Sequence, residues 1–267
     1  MSKIYDDLCE YYNVTPEQAL ELGSRSSGRK PNLPASATTT AVSNMTYEDL
    51  WALKERKTEQ DVFDFYEDQG AWSSFRQVVR HKDMTGYHLQ MLGGIVAEGS
   101  VLCEYGCGIA PFVYSLLSNL SKTDVNLTVC ISDVKSEHFR FAIWRLEKLI
   151  SQMNLTGVIL IPVEIKAGEL PKFPVPLDVA LVFEVLEHVP SPVATLNNLA
   201  NQLNTNGLIC ENFILHGDEK GDSDGPDLLS ARRERTEYYN ELFRLCNLVG
   251  GPDHVSGPNE TRIWQKK

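Results

Sequence analysis

The sequence of 267 residues predicts an α/β protein with a doubly wound, mostly parallel sheet and helices on both faces. Two observations carry this prediction. From residue 100 onward, apolar segments typical of buried strands alternate with amphipathic segments typical of helices. The first of these strands leads directly into a Gly-x-Gly turn at Gly106-Cys107-Gly108, and Pro111 then suits the first position of a helix.

Helical signals precede the sheet. Thr15-Pro16-Glu17-Gln18 is typical of a capped helix start, and residues 24–43 have the Ser/Thr/Ala/Pro composition of a linker. Further helix starts at Thr46 and Thr58 begin an aromatic-rich helical stretch. We therefore predict three parts: a short helical leader with its linker over 1–43, a helical N-terminal cap over 44–98, and the α/β domain over 99–267.

The elements of the α/β domain follow in order. Its strands are predicted in the segments VLCEY, LTVCIS, GVILIPVE, LDVALVF and GLICENF. The helices between them are PFVYSLLSNL, SEHFRFAIWRLEKLI and SPVATLNNLANQL, and Ser136 and Ser191 are expected as N-caps. A long polar helix, ARRERTEYYNELFRLCNLVG, and a terminal strand, TRIWQKK, complete the chain.

Composition and charge narrow the class of protein. Lys plus Arg total 25 against 36 Asp plus Glu, and the net charge of −11 argues against nucleic acid as a partner. No apolar run approaches membrane-spanning length, and the first residues lack a secretion signal. The six cysteines form no CxxC pair, which favours free thiols in a reducing cytoplasm. We expect no bound metal, because the acidic loop 216–227 departs from the calcium-loop template.

Polar groups follow four of the predicted strands, at the edge where a doubly wound sheet binds its ligands. They are Glu104 with the glycine turn, then Asp133, then the segment 183–188, and finally the segment from Glu211 through His216. A dinucleotide fingerprint requires a third glycine where this chain has Pro111, which disfavours NAD or FAD. The chain also contains no P-loop motif.

These motifs resemble the class I S-adenosylmethionine-dependent methyltransferases. The resemblance covers roughly residues 97–215 and rests on Glu104-Tyr-Gly-Cys-Gly108, Asp133 and Glu184-Val-Leu-Glu-His188 in this order. The stretch from LDVALVFEVLEHVPSP through LNNLANQLNTNGLI is most similar to small-molecule methyltransferases of the ubiquinone-biosynthesis type. The resemblance implies a Rossmann-like, seven-stranded sheet with an antiparallel C-terminal strand. Ala110 departs from the family pattern, which has a third glycine there.

The resemblance also implies S-adenosylmethionine as the cofactor. Glu104 would hold its ammonium group, Asp133 its ribose hydroxyls, and Val134 would flank the adenine. The residues expected to bind the cofactor are Glu104, Gly106, Cys107, Gly108, Asp133, Val134, Phe183 and Glu184.

Candidates for the acceptor side are fewer. His188 is the leading general base because it follows the fourth strand, and His216 is a weaker one. Glu187 is expected at the surface. Arg76 and Arg80 share one helical face and either bind an anionic group of the substrate or form a solvated face. Tyr66 is expected to pack between the cap and the sheet and to contact the substrate.

The resulting hypothesis is transfer of a methyl group to a small-molecule O, N or C acceptor by in-line displacement. Methylation of RNA or protein is the second hypothesis, and a non-catalytic S-adenosylmethionine-binding module is the third. We expect a monomer or homodimer that does not associate with membranes.

Overall fold

A single sheet organises the part of the chain that the computed structural model describes, which comprises residues 3–23, 58–67, 74–75, 84–120, 125–213, 228–253 and 260–267. Its seven strands within these residues are β1 (Val101–Tyr105), β2 (Leu127–Val134), β3 (Val158–Ile165), β4 (Leu177–Val182), β5 (Leu203–Glu211), β6 (Cys246–Gly250) and β7 (Arg262–Lys266). The strand order is β3-β2-β1-β4-β5-β7-β6.

The strand directions confirm the predicted fold class. The strands β1 to β5 pair in parallel, and β7 runs antiparallel to both of its neighbours, β5 and β6. The order reverses beside β1, whose two neighbours are β2 and β4. Doubly wound sheets form their ligand-binding crevice at such a reversal, beyond the carboxyl ends of the strands.

The helices lie between and before the strands. They are α1 (Lys3–Tyr12), α2 (Pro16–Gly23), α3 (Glu59–Glu67), α4 (Met84–Ile95), α5 (Pro111–Ser118), α6 (Glu137–Gln152), α7 (Pro192–Gln202) and α8 (Leu229–Leu245), with a 3-10 turn at Leu186–His188. Among the described residues, no helix is both long and apolar enough to span a bilayer.

Local capping signals set where several helices begin. Ser136 Oγ accepts the N–H of Phe139 at 3.2 Å, and Ser191 Oγ accepts the N–H of Ala194 at 3.3 Å. Thr15 and Gln18 exchange reciprocal side-chain to backbone bonds at the start of α2. These bonds satisfy N–H groups that the first helical turn leaves without partners, so the predicted caps are confirmed.

Alternate residues of the central strands pack into different hydrophobic clusters. Leu102 of β1 and Leu181 of β4 belong to one cluster, whereas their neighbours Cys103 and Ala180 belong to the other. Successive side chains of a strand point to opposite faces, so the two clusters lie on opposite faces of the sheet. Helices therefore cover both faces, as predicted.

The end of the last helix differs from the sequence-based expectation. The segment CNLVG was predicted as helix, but α8 ends at Leu245 and Cys246–Gly250 forms the edge strand β6. No glycine or proline marks this boundary in the sequence. The strand forms because β7, which follows later in the chain, offers a free edge to Cys246–Gly250.

The leader helix α1 packs against the α/β domain. Leu8 belongs to a cluster with Ile109 of the turn after β1 and Phe141 of α6. Beside it, buried Asp7 accepts hydrogen bonds from the hydroxyl of Tyr114 at 3.0 Å and from Lys148 Nζ at 2.8 Å. The predicted linker over 24–43 and the helix start at Thr46 lie outside the described residues.

We predict that Asp7→Ala lowers the free energy of unfolding by about 1–3 kcal/mol, because it removes the buried acceptor shared by Tyr114 and Lys148. Chemical denaturation measures the change. Glu10→Ala is the matched control, since Glu10 binds the same Lys148 from an exposed position. Equal losses of unfolding free energy in the two variants would show that the buried Asp7 contact does not hold the leader helix in place.

Candidate active site

A cavity of about 390 Å³ lies beyond the carboxyl ends of β1, β2 and β4. Its size and position are those of a small-molecule site in a doubly wound fold. The cavity brings together most of the sequence-predicted site residues: Tyr66, Glu104, Gly106, Cys107, Gly108, Asp133, Val134, Phe183, Glu184 and His188. The remaining three candidates, Arg76, Arg80 and His216, lie outside the described residues.

The turn after β1 needs an unusual backbone. Gly106 and Gly108 have φ values of 63° and 52°, and Ala110 is also left-handed at 50°. A Cβ on Gly106 would lie 2.5 Å from Val185 Cγ2, so only glycine fits between the turn and the segment after β4. The N–H of Cys107 donates to the carbonyl of Ser132 at 3.0 Å, which also fastens the turn to β2.

Glu104, next to the last residue of β1, is a buried carboxylate that lines the cavity. Its Oε2 accepts the N–H of Val113 at 2.9 Å, in the first turn of α5, where Pro111 has no N–H to offer. Burial raises the pKa of Glu104 to about 8, although the N–H groups of Val113 and Phe112 and the guanidinium of Arg145 act to lower it. A cation that entered the cavity would stabilise the charged form of this carboxylate.

Asp133 joins the end of β2 to the glycine turn. Its Oδ2 accepts the N–H of Gly108 at 2.5 Å, and its Oδ1 accepts the N–H of Val134 at 2.7 Å. Burial raises the pKa of Asp133 to about 6, and these two bonds oppose that shift. A carboxylate accepts about four hydrogen bonds, so each oxygen can also accept a hydroxyl donor from a ligand.

Glu184 follows β4 in a conformation that is rare for a residue with a side chain, with a φ of 55°. Two reciprocal bonds hold it against Asn212, which follows β5. The N–H of Glu184 donates to Asn212 Oδ1 at 2.8 Å, and Asn212 Nδ2 donates to Glu184 Oε1 at 3.0 Å. The sequence placed Asn212 at this edge of the sheet but carried no signal for its pairing with Glu184.

His188 lies on the cavity wall at the end of the 3-10 turn. Its Nε2 is 3.7 Å from Glu187 Oε1, and its ring centroid is 6.5 Å from that of Tyr66. The expectation that Glu187 lies at the surface is wrong, because its side chain is fully buried. The N–H of Leu228 donates to the carbonyl of Glu187 at 2.8 Å, so the start of α8 packs over this turn.

The cavity wall also includes residues that sequence reasoning missed. Helix α3 contributes Glu59, Val62 and Phe63, and the loop after β3 contributes Glu169 and Leu170. Neither segment carries a ligand-binding motif, so only the folded structure shows that they meet the strand ends. Within the described part of the chain, no group of three or more His, Cys, Asp or Glu side chains could hold a metal ion.

The strand order is that of the class I S-adenosylmethionine-dependent methyltransferase fold. The glycine turn and the strand-end carboxylates lie where this class binds its cofactor. A family model described as a methyltransferase domain matches residues 80–239, which is more than half of the chain. The chain therefore belongs to this family of methyltransferases.

Solved structures share the fold at low sequence identity. The pyocyanin biosynthetic protein PhzM matches with a TM-score of 0.50 and 10% identity over 79% of this chain and 62% of its own length. The structure described as PigF with SAH matches with a TM-score of 0.50 and 14% identity over 79% of this chain and 63% of its own length. A SAM-dependent methyltransferase from Aquifex aeolicus matches with a TM-score of 0.45 and 15% identity over 70% of this chain and 91% of its own length. The chain thus spans less than two thirds of PhzM and PigF. No curated protein matches it.

We predict that Glu104→Gln becomes progressively more stable relative to the parent protein as the pH rises. The folded pKa of about 8 exceeds the ordinary value of 4.5, so the contribution of Glu104 to stability is complete below pH 4.5 and is lost as the pH approaches 8. The parent protein therefore loses on the order of a few kcal/mol of stability as the pH rises, whereas the uncharged variant does not.

Denaturation of both proteins at pH 5 and pH 8.5 measures the change. Glu147→Gln, on the exposed face of α6, is the control. If the stability difference between Glu104→Gln and the parent were the same at both pH values, the buried carboxylate would not have a raised pKa.

Proposed function

We propose that this protein transfers a methyl group from S-adenosylmethionine to a small-molecule acceptor. The observation that carries the proposal is the convergence of Glu104, the left-handed glycine turn and Asp133 in one cavity at the carboxyl ends of β1 and β2. Membership of a methyltransferase family supports the reaction type. The shared fold of PigF, whose structure is described with SAH, supports the choice of cofactor.

The chemistry of the cavity fits this cofactor. When bound, S-adenosylmethionine supplies an electrophilic methyl group on a positively charged sulfur. Glu104 would hold the ammonium group, because it is a buried carboxylate with a raised pKa that a cation would bring back toward its ordinary range. Asp133 would accept the ribose hydroxyls on oxygens that already bind Gly108 and Val134. Val134 would flank the adenine.

We propose that the remaining predicted cofactor residues surround the methionine end of the cofactor. Phe183 and Glu184 line the cavity directly after β4, Gly106, Cys107 and Gly108 line it after β1, and Gly106 lies against Val185. The Phe183 ring packs on Phe112 with centroids 4.7 Å apart, which gives this end a rigid apolar wall. A wall of packed rings favours the in-line alignment that methyl transfer requires.

His188 is the proposed general base for an acceptor that must lose a proton. It lines the same cavity as the strand-end carboxylates and faces Tyr66 of α3. A base at this place would take the proton of a hydroxyl or amine acceptor. Tyr66 is correspondingly proposed as an acceptor contact.

The proposed branch of the methyltransferase family follows the sequence resemblance. The segment from Leu177 through Ile209 supports the ubiquinone-biosynthesis-type branch of small-molecule methyltransferases. Six free cysteines, five of them buried, support action in the reducing cytoplasm. We propose a monomer or homodimer as the working form.

We predict that S-adenosylhomocysteine binds the intact protein and that Asp133→Ala weakens binding at least about tenfold. The variant removes charged acceptors for ribose, and tenfold corresponds to about 1.4 kcal/mol. Asp133→Asn is the second variant, because its side-chain oxygen can still accept the N–H of Gly108. Isothermal titration calorimetry measures the affinities.

Titration of S-adenosylhomocysteine at pH 7 in buffers of different ionisation enthalpy should also reveal that binding releases protons, and Glu104→Gln should abolish this release.

Asp178→Asn is the matched control for this titration. Asp178 accepts the N–H of Val101 at 2.8 Å at the opposite end of the sheet, so its substitution should leave the affinity unchanged. Failure of the parent protein to bind S-adenosylhomocysteine, or equal binding by Asp133→Ala, would contradict the proposed cofactor site.

We predict that labelled S-adenosylmethionine, incubated with the protein and a size-fractionated lysate of the source cell, transfers its label to small molecules. His188→Ala should lower the transfer while leaving S-adenosylhomocysteine affinity unchanged. Label only in RNA or protein would overturn the small-molecule assignment. No transfer to any fraction, together with intact cofactor binding, would indicate a non-catalytic module.

A further inference from the structure

We propose that Arg145, buried against α5, is a positioning residue for the cofactor, because its positive charge favours the ionised carboxylate of Glu104 that receives the ammonium group. The inference rests on the proposed function and adds to it a residue of α6 that lies outside the cavity lining. Arg145 would act through Glu104 and would not contact the cofactor itself.

The first support is the burial of a charged side chain. Arg145 is only 1% exposed, and its three guanidinium nitrogens form no hydrogen bond within the described part of the chain. Burial of a cation without hydrogen bonds is costly, so such a group calls for an explanation in what its charge does for its neighbours.

The second support is the place where this charge is fixed. The guanidinium carbon of Arg145 lies 3.9 Å from the centroid of the Tyr114 ring in α5 and 5.7 Å from that of Phe141 in α6. Val113 immediately precedes Tyr114, and its N–H binds Glu104 Oε2 at 2.9 Å. Neighbouring residues of α5 therefore carry the ring that packs on the cation and the N–H that binds the carboxylate.

The third support is the set of groups that keep Arg145 charged. Burial lowers the pKa of Arg145 to about 10, and Tyr114, Asp7, Glu104 and Cys107 act to raise it. These groups come from α5, the leader helix α1, the strand β1 and the glycine turn. The side chain therefore stays a cation at neutral pH.

The charges that face Glu104 act on it in opposite directions. Burial raises its pKa to about 8, the N–H groups of α5 and the charge of Arg145 act to lower it, and Asp133 of β2 acts to raise it. Without Arg145, the carboxylate would keep the hydrogen bond and the repulsion but lose its attraction to a cation. Glu104 would then stay protonated to higher pH, and it must lose this proton before it pairs with an ammonium group.

NMR of the protein without ligand tests the link between the two residues. In protein labelled at the glutamate carboxyl carbons, the Glu104 resonance is the one that Glu104→Gln lacks. We expect Arg145→Met to move its titration midpoint from about pH 8 to about pH 9 or higher.

The choice of variants keeps this test independent of packing. Methionine can fill the space between the two rings without a charge, and replacement of a buried ion by an apolar side chain is often tolerated. Arg145→Gln removes the same charge with a polar side chain, so it should move the midpoint in the same direction. Arg140→Met is the matched control, because Arg140 lies on the same helix with 48% of its side chain exposed and should leave the midpoint unchanged.

Calorimetric titration with S-adenosylhomocysteine at pH 7 and pH 9 tests the consequence for the cofactor. The gain in affinity between these two pH values should be at least about threefold larger in Arg145→Met than in the parent protein. The amino group of the ligand titrates identically in both measurements. A purely structural role would change the affinity by the same factor at both pH values.

The outcomes separate this inference from the proposed function. If S-adenosylhomocysteine does not bind the parent protein, the proposed function fails, although the NMR titration still reports on Arg145 and Glu104. If it binds, but the midpoint of Glu104 stays in place or the pH-dependent gain in affinity equals that of the parent, the inference is overturned and the cofactor assignment stands.

Discussion

The bond between Asp133 and the N–H of Gly108 joins two strand ends on which the rest of the site depends. It holds the turn after β1 against β2, while the close approach of Gly106 to Val185 holds the same turn against the segment after β4. The turn can pass between these neighbours only because its backbone is left-handed. Once it is fixed, α5 begins in a direction that lets Glu104 accept the N–H of Val113.

Residues far away in the chain support the same turn from behind. Ile109 packs with Leu8 of the leader and Phe141 of α6. Nearby, the guanidinium of Arg145 lies 3.9 Å from the centroid of the Tyr114 ring, and within the described part of the chain its nitrogens form no hydrogen bond. The Tyr114 ring and the charges of Asp7, in the leader, and Glu104 offset the burial of this cation. The leader and the floor of the cavity thus share one electrostatic environment.

Charge and strain in the cavity are unfavourable for the protein alone. Burial raises the pKa values of Glu104 and Asp133 to about 8 and about 6, and Glu184 has a left-handed backbone. The charged forms of Glu104 and Asp133 become more favourable when a ligand supplies positive charge or hydrogen-bond donors. The proposed cofactor, a cationic methyl donor with ribose hydroxyls, would meet this requirement at both carboxylates.

The sequence by itself determined the features that depend on neighbouring residues. Helix caps such as Ser136, the strand segments and the Gly106 turn follow from backbone geometry and short-range periodicity, so they could be predicted together with the strand-end carboxylates. Tertiary structure alone decided the burial of Glu187, the pairing of Asn212 with Glu184 and the conversion of Cys246–Gly250 into an edge strand. These outcomes depend on partners that are distant in the chain, and a local pattern carries no information about which distant groups will meet it.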